Sequence, residues 1–212
     1  MPFQLDEFLR LRPFAYHVTH RQNVALLRAS SRLRTAASVI REAGALHLLA
    51  LRRERDVPVH IADGAVVLKD QRPLIAANLE LPSEWSVSDF VAYLNSFVYF
   101  WPGWDRGMVG AGQRLLSHYE ADAPAVLRCS TADLLAANPD VEPEFCPFNS
   151  GAPRYHSGKR AFRGPNLFTA ATRFPRRASA VVEMAFRGDI QLPSTTQLRS
   201  QACWAGLFDV AS

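Results

Sequence analysis

Three segments of the chain contain side chains that suit binding or chemistry on a polar ligand. The first, residues 16–20, reads Tyr-His-Val-Thr-His and lies where a predicted strand meets a predicted helix. Such a junction presents side chains beside backbone N–H groups that helix formation leaves unpaired. His17 and Thr19 are therefore candidate ligand contacts, although Thr19 would equally serve as a helix cap and His17 as a half-buried strand residue. A metal site on His17 and His20 is not expected, because no third ligand stands at a suitable spacing.

The second segment, residues 95–102, is aromatic and reads Asn-Ser-Phe-Val-Tyr-Phe-Trp-Pro. Aromatic side chains favour the pleated, half-buried surface of a sheet, so this segment is typical of a core strand. A ring such as that of Tyr99 also provides a flat platform on which a ligand ring can pack. The pattern alone leaves both interpretations open.

The third segment contains Glu183, which stands between Val182 and Met184 in an otherwise apolar stretch. An unpaired carboxylate is costly in apolar surroundings. Glu183 therefore lies either on a solvated face of a two-faced strand or in the wall of a cleft, where it would be available for chemistry.

A basic region lies between Phe145 and Val182, where the sequence has no Asp or Glu. Basic side chains interspersed with aromatic ones suit phosphate contact and base stacking, and they are equally typical of a solvated loop. The candidate nucleic-acid contacts are Arg154, Lys159, Arg160, Arg163, Arg176 and Arg177.

The elements that must position these residues follow from apolar periodicity and turn residues. In the first third of the chain the pattern predicts a strand over 14–18, a helix capped by a Thr19–Gln22 capping box, a helix from Thr35 and a hairpin of 57–61 with 65–68 around Asp63-Gly64. In the middle it predicts a helix over 86–95 capped by Ser86, a strand over 97–101 ended by Pro102-Gly103 and a helix over 107–119. Further on it predicts a strand over 125–129, a helix over 131–137, an irregular stretch over 138–177 and a strand over 178–186. This order lacks the regular spacing of β-α-β units, so the predicted fold class is α+β.

The composition sets broad limits on the class of protein. The 212 residues are 48% hydrophobic, carry a formal net charge of +4, and show no repeat or low-complexity linker, so we expect a single domain over 1–212. Neither a signal peptide nor an apolar stretch of the ~18 residues needed to span a membrane is visible, and a cytoplasmic protein is expected. Three scattered cysteines, Cys129, Cys146 and Cys203, indicate neither a disulfide framework nor a zinc site, and packing is the only role they suggest.

In their order along the chain, these segments resemble the H-Y-E branch of the ADP-ribosyltransferase superfamily. The likeness is to bacterial DNA-modifying toxins of the DarT type and to an uncharacterised bacterial family related to them. Residues 16–23, Tyr-His-Val-Thr-His-Arg-Gln-Asn, are similar to the Y-H-[IV]-T-H-x-x-N opening, and residues 94–101 are similar to an L-N-x-x-V-[YF]-F-W segment. Residues 147–151 and 180–183 resemble later landmarks, so the resemblance covers about 13–187.

The resemblance implies an ADP-ribosyltransferase-like fold, in which two small, mainly antiparallel sheets form an NAD-binding cleft flanked by helices. It also implies a role for each matching residue. His17 would bind a ribose hydroxyl of NAD, with Thr19 supporting the same pocket, and Tyr99 would pack against nicotinamide. Glu183 would hold the nicotinamide ribose and stabilise positive charge as the glycosidic bond breaks. Arg34 would meet the NAD phosphates.

The implied activity is NAD-dependent transfer of ADP-ribose to a macromolecule, with NAD as donor and no metal. A nucleic-acid acceptor, DNA or RNA, is favoured by the basic region, and a bacterial toxin or anti-phage defence enzyme with an antitoxin partner is the implied setting. Two alternatives stay open. One is an NAD glycohydrolase or protein-modifying transferase, and the other is a catalytically silent nucleotide- or nucleic-acid-binding module.

Overall fold

A computed structural model describes residues 3–122, 124–200 and 203–209 of the protein. The α-helices are α1 (Leu5–Leu11), α2 (Val24–Ser30), α3 (Ala36–Glu42), α4 (Val87–Leu94), α5 (Gly110–His118) and α6 (Thr131–Ala136). The strands are β1 (Phe14–Thr19), β2 (Arg32–Leu33), β3 (Val57–Ile61), β4 (Gly64–Leu68), β5 (Leu79–Glu80), β6 (Phe97–Trp104), β7 (Gly107–Met108), β8 (Ala125–Ser130), β9 (Pro143–Cys146), β10 (Ala161–Phe162), β11 (Thr169–Ala170), β12 (Glu183–Arg187), β13 (Ile190–Gln191), β14 (Gln197–Ser200) and β15 (Cys203–Gly206).

The main sheet has the strand order β11-β9-β12-β6-β1-β8-β14-β15, with β7 also paired to β6. Every pairing in it is antiparallel. Three two-stranded sheets, β3-β4, β2-β13 and β5-β10, lie outside this order, and the last of these is parallel. The prediction of an α+β fold with mainly antiparallel strands is confirmed.

Strand β6 changes its partner half-way along its length. Its first half pairs with β12, from Phe97 opposite Arg187 to Phe100 opposite Met184. Its second half pairs with β1, where Trp101 lies opposite Tyr16. In the described residues β6 alone joins β9, β11 and β12 to the remaining strands, so the sheet consists of two groups of strands that meet at β6.

The change of partner opens a fork between β1 and β6. Over its whole length β1 pairs with β8, but its last three residues are not paired with β6. The end of β1 and the beginning of β6 therefore separate, and the side chains of both line the gap. Hairpin β3-β4 closes one side of the gap, because Val67 is hydrogen-bonded to Asn23, just beyond β1.

Two apolar clusters pack against opposite faces of the strands around β12, as the two-residue period of a strand requires. One cluster contains Phe100, Met184 and Phe186. The other contains Phe97 and Ala185 together with buried side chains of α4. Because Glu183 alternates with Met184, its side chain lies on the face of Ala185.

Several local predictions are confirmed by the structure. The hairpin pairs Ile61 with Gly64, and Gly64 has the positive φ that the turn requires. Thr35 caps α3 by accepting a hydrogen bond from the Ser38 backbone N–H. Ser86 begins α4 with a complete capping box.

Other local predictions are wrong, each for a physical reason. The Thr19–Gln22 capping box does not form. His20 caps a 3-10 turn over Arg21–Asn23, its Nδ1 accepting from the Gln22 N–H, and α2 begins only at Val24. The Thr19 hydroxyl instead accepts a hydrogen bond from the Asn23 side chain. The strand expected to end at residue 101 continues to residue 104, because it turns back through Gly107 and pairs with β7. For the same reason the next helix begins at residue 110 and not at 107.

The C-terminal part also differs from its prediction. The strand expected over 178–186 begins only at Glu183, after a 3-10 turn at Ala178–Ala180. The stretch 138–177 is not wholly irregular, since it contains β9, β10 and β11.

Candidate functional site

A cavity of about 300 Å³ lies at the fork between β1 and β6. The five residues predicted to bind NAD or act on it all line this cavity; they are His17, Thr19, Arg34, Tyr99 and Glu183. A second cavity of about 270 Å³ adjoins the first, and both are lined by His17, Thr19 and Arg34. The fold therefore brings together residues from four distant segments of the sequence.

His17 occupies the point where the fork opens. Its Nδ1 lies 2.8 Å from the carbonyl oxygen of Tyr99, so the ring takes the place of the backbone N–H that a continued β1-β6 ladder would supply. A carbonyl only accepts, so Nδ1 carries the hydrogen in this contact. Burial lowers the pKa of His17, and the hydrogen bond to Tyr99 opposes this effect only in part. The ring is thus neutral at pH 7, and Nε2 is left as an acceptor for a ligand hydroxyl.

Thr19 is buried, and its hydroxyl accepts a hydrogen bond of 3.1 Å from the Asn23 side-chain amide. The same amide group donates to the Val67 carbonyl over 3.0 Å, and the Asn23 side-chain oxygen accepts from the Val67 N–H over 2.8 Å. Asn23 thereby ties β4 to the end of β1. Asn23 was not among the predicted site residues, although it ends the motif that begins at Tyr16.

Tyr99 lies half-buried on the α4 face of β6. Its ring centroid is 5.7 Å from that of Phe168 and 6.2 Å from that of Phe97. Its hydroxyl donates to the Leu94 carbonyl over 2.6 Å. Burial, reinforced by the charge of Glu183, raises the pKa of Tyr99 well above its ordinary value, so the phenol stays neutral. Tyr99 therefore contributes a ring held in a fixed orientation rather than an acid or base.

Glu183 is the first residue of β12 and is 3% exposed, so it does not lie on a solvated strand face. Its Oε2 accepts a hydrogen bond of 2.9 Å from the backbone N–H of Ser150. Burial raises the pKa of Glu183 to about 7, and hydrogen bonds from Ser150 and the charge of Arg163 oppose that rise. Raised carboxyl pKa values of this kind are frequent at functional sites.

Arg34 lies between the two cavities and is already paired with two carboxylates. Its guanidinium is 2.5 Å from a Glu42 oxygen and 3.4 Å from an Asp189 oxygen. Asp189 also accepts from the Thr35 N–H and so fixes the start of α3. A ligand phosphate would have to share Arg34 with these two acidic groups.

Arg53 is a cation in the cavity wall that sequence patterns did not indicate. It is 6% exposed and donates to Asn95 Oδ1 from both terminal nitrogens, over 3.1 and 3.2 Å, and to the Lys69 carbonyl over 2.9 Å. None of the ion pairs formed within the described ranges involves Arg53. Burial lowers its pKa to about 10, which still leaves it charged at pH 7. A buried guanidinium with uncharged acceptors is suited to an anionic ligand group.

A family of unknown function (DUF7002) matches residues 13–196. The chain belongs to this family. The match spans every residue that lines the two cavities, from His17 to Glu183. No curated protein and no solved structure matches the chain. The DUF7002 match therefore supplies a family without an activity, and the activity must be argued from the site itself.

The basic side chains of this DUF7002 protein lie mostly on its surface. Five of the six predicted nucleic-acid contacts are exposed: Arg154, Lys159, Arg160, Arg176 and Arg177. The first three share the 151–162 segment with Tyr155 and Phe162, which are 59% and 60% exposed. This segment begins at Gly151, in the cavity wall, so the exposed basic and aromatic side chains follow the cavity wall within a few residues along the chain.

The sixth predicted nucleic-acid contact, Arg163, is corrected by the structure because it is buried. It is 6% exposed, and its guanidinium donates to the carbonyls of Asn149, Ser150 and Phe162. A side chain held in this way inside the protein does not reach a nucleic-acid phosphate. Sequence alone does not separate it from its neighbours, because it occurs in the same basic run.

The structure also bears on cysteine chemistry, metal binding and membrane insertion. Cys129 and Cys146 are buried, and burial raises the pKa of both thiols, so neither is a thiolate nucleophile; Cys203 is exposed. Among residues 3–122, 124–200 and 203–209, no cluster of His, Cys, Asp and Glu is arranged to hold a metal ion. Over the same ranges, no helix combines the length and apolar character needed to cross a membrane.

Proposed function

We propose that the protein binds NAD in the cavity at the fork and transfers its ADP-ribose to a macromolecular acceptor, with an ADP-ribosyltransferase-like fold. The observation that carries this proposal is the position of Glu183. A residue chosen from sequence as the carboxylate of an NAD-cleaving site is buried in the wall of the cavity that His17, Thr19 and Tyr99 also line. Two antiparallel groups of strands that meet at β6, with the cavity between their ends, are compatible with that fold.

The residues present fit the chemical groups of NAD. Neutral His17 offers Nε2 to a ribose hydroxyl, and the ring of Tyr99 offers a platform for nicotinamide. Arg34 and Arg53 supply positive charge for the two phosphates. Two adjoining cavities of about 300 and 270 Å³ suit an elongated ligand with two rings.

The proposed reaction needs a carboxylate and no general acid for its leaving group. The bond between the ribose C1′ and the nicotinamide nitrogen breaks, and the bonding electron pair leaves with nicotinamide, which becomes neutral. The sugar takes on oxocarbenium character, and ionised Glu183 stabilises that positive charge. A nucleophilic atom of the acceptor then bonds to C1′ and loses its proton to solvent.

For the acceptor we propose nucleic acid, DNA or RNA. The support is the 151–162 segment, which leads from the cavity wall at Gly151 to an exposed surface of Arg154, Lys159 and Arg160 with two exposed aromatic rings. Cationic side chains bind phosphates, and exposed rings stack on bases. Such an activity would suit a bacterial toxin or anti-phage enzyme that an antitoxin protein holds in check.

The experiment uses NAD radiolabelled in its adenylate phosphate with wild type, Glu183→Ala and, as a matched control, Glu84→Ala at an exposed glutamate. Single-stranded DNA, duplex DNA, total RNA and a cell protein extract are offered separately, and free nicotinamide is followed in parallel. We expect label in a nucleic acid from wild type and the control, with loss of that label in Glu183→Ala.

The other outcomes select among the alternatives. Label in protein identifies a protein-modifying transferase. Release of nicotinamide without label identifies a glycohydrolase. A folded protein that binds NAD and releases no nicotinamide refutes the enzymatic proposal and leaves a binding module.

A further inference from the structure

The Arg163 side chain contacts residues 148–150, and the last of these is hydrogen-bonded to the carboxylate of Glu183. Its guanidinium carbon lies 4.1 Å from the centroid of the Phe148 ring. Nη2 donates to the Asn149 carbonyl over 3.1 Å, and Nε donates to the Ser150 carbonyl over 3.4 Å. The backbone N–H of this same Ser150 donates to Glu183 Oε2 over 2.9 Å.

The same side chain also contacts the end of the 151–162 segment. Arg163 follows this segment directly, and its Nη1 donates to the Phe162 carbonyl over 2.9 Å. Its backbone N–H donates to the Glu80 carbonyl over 2.9 Å, next to the β5-β10 pair. The guanidinium thus joins Phe162, at the end of the segment, to Asn149 and Ser150, which directly precede it.

The groups that act on the Glu183 carboxylate come from four parts of the chain. Tyr99 on β6 and Cys146 on β9 stay neutral, since burial and the charge of Glu183 both raise their pKa values. Ser150 contributes hydrogen bonds, and Arg163 contributes positive charge. Arg163 makes no ion pair within the described part of the chain, so its charge faces backbone carbonyls and the field of Glu183.

We propose that Arg163 is a positioning residue for Glu183: it holds residues 148–150 so that the Ser150 N–H meets the carboxylate, and its charge favours the ionised form. This role rests on the proposed function for its catalytic consequence, since an ionised Glu183 is the form that stabilises an oxocarbenium-like sugar. Replacing an arginine that neither positions the Ser150 N–H nor acts on Glu183 by its charge would leave the protonation of Glu183 unchanged.

The test observes the carboxylate itself. Protein labelled with ¹³C at the glutamate carboxyl carbon is titrated by NMR between pH 5 and 9, and Glu183→Gln assigns the resonance. The variants are Arg163→Met and Arg163→Gln, which remove the charge, and Arg163→Lys, which keeps it. Arg160→Met is the matched control, because Arg160 is exposed three residues away. NAD cleavage is measured over the same pH range.

Loss of the charge and of the Ser150 contact favours the protonated acid, so we expect the Glu183 titration to move to higher pH in Arg163→Met and Arg163→Gln. We expect a smaller move in Arg163→Lys and none in Arg160→Met. NAD cleavage at pH 7 should fall by about tenfold in the neutral variants, mainly through kcat. An unchanged Glu183 titration in either folded neutral variant overturns the proposal. If wild type does not cleave NAD and the titration still moves, the proposed function fails while the effect of Arg163 on Glu183 stands.

Discussion

The imidazole Nδ1 of His17 lies 2.8 Å from the carbonyl oxygen of Tyr99, at the place where β1 and β6 separate. One side chain thereby satisfies a backbone carbonyl of the main sheet and fixes its own tautomer. Because Nδ1 holds the hydrogen and burial lowers the pKa of the ring, Nε2 remains an acceptor at pH 7.

Replacing His17 by alanine should weaken NAD binding while the fold is retained. The variant loses the Nε2 acceptor and leaves the Tyr99 carbonyl without its donor. We expect the Kd for NAD to rise by about tenfold, measured by calorimetry. His60→Ala is the control, because His60 is exposed on β3. Equal affinities in wild type and His17→Ala would refute a ligand contact.

We expect the Glu183→Gln variant to be more stable than wild type at high pH but not at low pH. The folded-state pKa of Glu183, about 7, lies above the ordinary value of 4.5, so the folded protein holds this proton more tightly than the unfolded chain does. The contribution of Glu183 to stability is therefore complete below pH 4.5 and is lost as the pH rises through 7. Glutamine escapes this loss, which amounts to ~3 kcal/mol above pH 7.

Urea unfolding at pH 5 and pH 8 measures this difference. We expect Glu183→Gln to exceed wild type at pH 8 by clearly more than at pH 5, and Glu84→Gln, at an exposed glutamate, to match wild type at both. A gap that does not grow with pH would mean that Glu183 is not held with a raised pKa. In that case the ionised Glu183 would lower the free energy of unfolding at pH 8 by less than its burial implies.

Asn23→Ala should loosen the hairpin that closes the cavity. The substitution removes three buried hydrogen bonds and leaves the Val67 N–H and carbonyl unsatisfied. We expect a loss of about 2–3 kcal/mol in the free energy of unfolding. Hydrogen exchange should accelerate most at Val67, and Asn166→Ala, at an exposed asparagine, should behave as wild type. Unchanged exchange at Val67 would show that the hairpin is held by other contacts.

Reversing the charge of Arg154, Lys159 and Arg160 together to glutamate should abolish nucleic-acid binding and leave NAD cleavage without acceptor unchanged. Each lost phosphate contact removes about 0.7–0.9 from the slope of log K against log salt. Fluorescence anisotropy with labelled oligonucleotides over a salt series measures this slope.

The control for this variant carries the same change of charge elsewhere. Its substituted residues are exposed and lie outside the 151–162 segment; they are Arg41, Arg55 and Arg106. If this control loses binding to the same extent as the first variant, binding reflects net charge and not the proposed surface.

Local patterns were enough to predict the elements whose signals are short in sequence. The capping box at Ser86 and the Asp63-Gly64 turn act within a few residues, and both are confirmed. The change of partner in β6 was not predictable in this way. It depends on β1 and β12, which are distant in the chain, and nothing in residues 97–104 indicates which strand lies opposite.

Sequence indicated a candidate site residue where a polar side chain stood among apolar neighbours. Glu183 stood out as a carboxylate in an apolar stretch, and the structure places it in the cavity wall. Arg53 gave no such signal, because it occurs among other charged residues and its burial depends on Asn95, forty-two positions later. Arg163 was misassigned for a similar reason, since its neighbours in sequence are exposed and it is not.

The order in which the chain can complete its sheet follows from β6. Its second half pairs with β1, far upstream, and its first half pairs with β12, far downstream. A nascent chain can therefore join β6 to β1 early, but the cavity wall at Glu183 forms only after β12 has been synthesised. Non-local antiparallel pairings of this kind slow folding, because loop closure must be completed before the contacts are gained. An emerging chain would thus bury the carboxylate of Glu183 only when β12 pairs with β6, later than the pairing of β6 with β1.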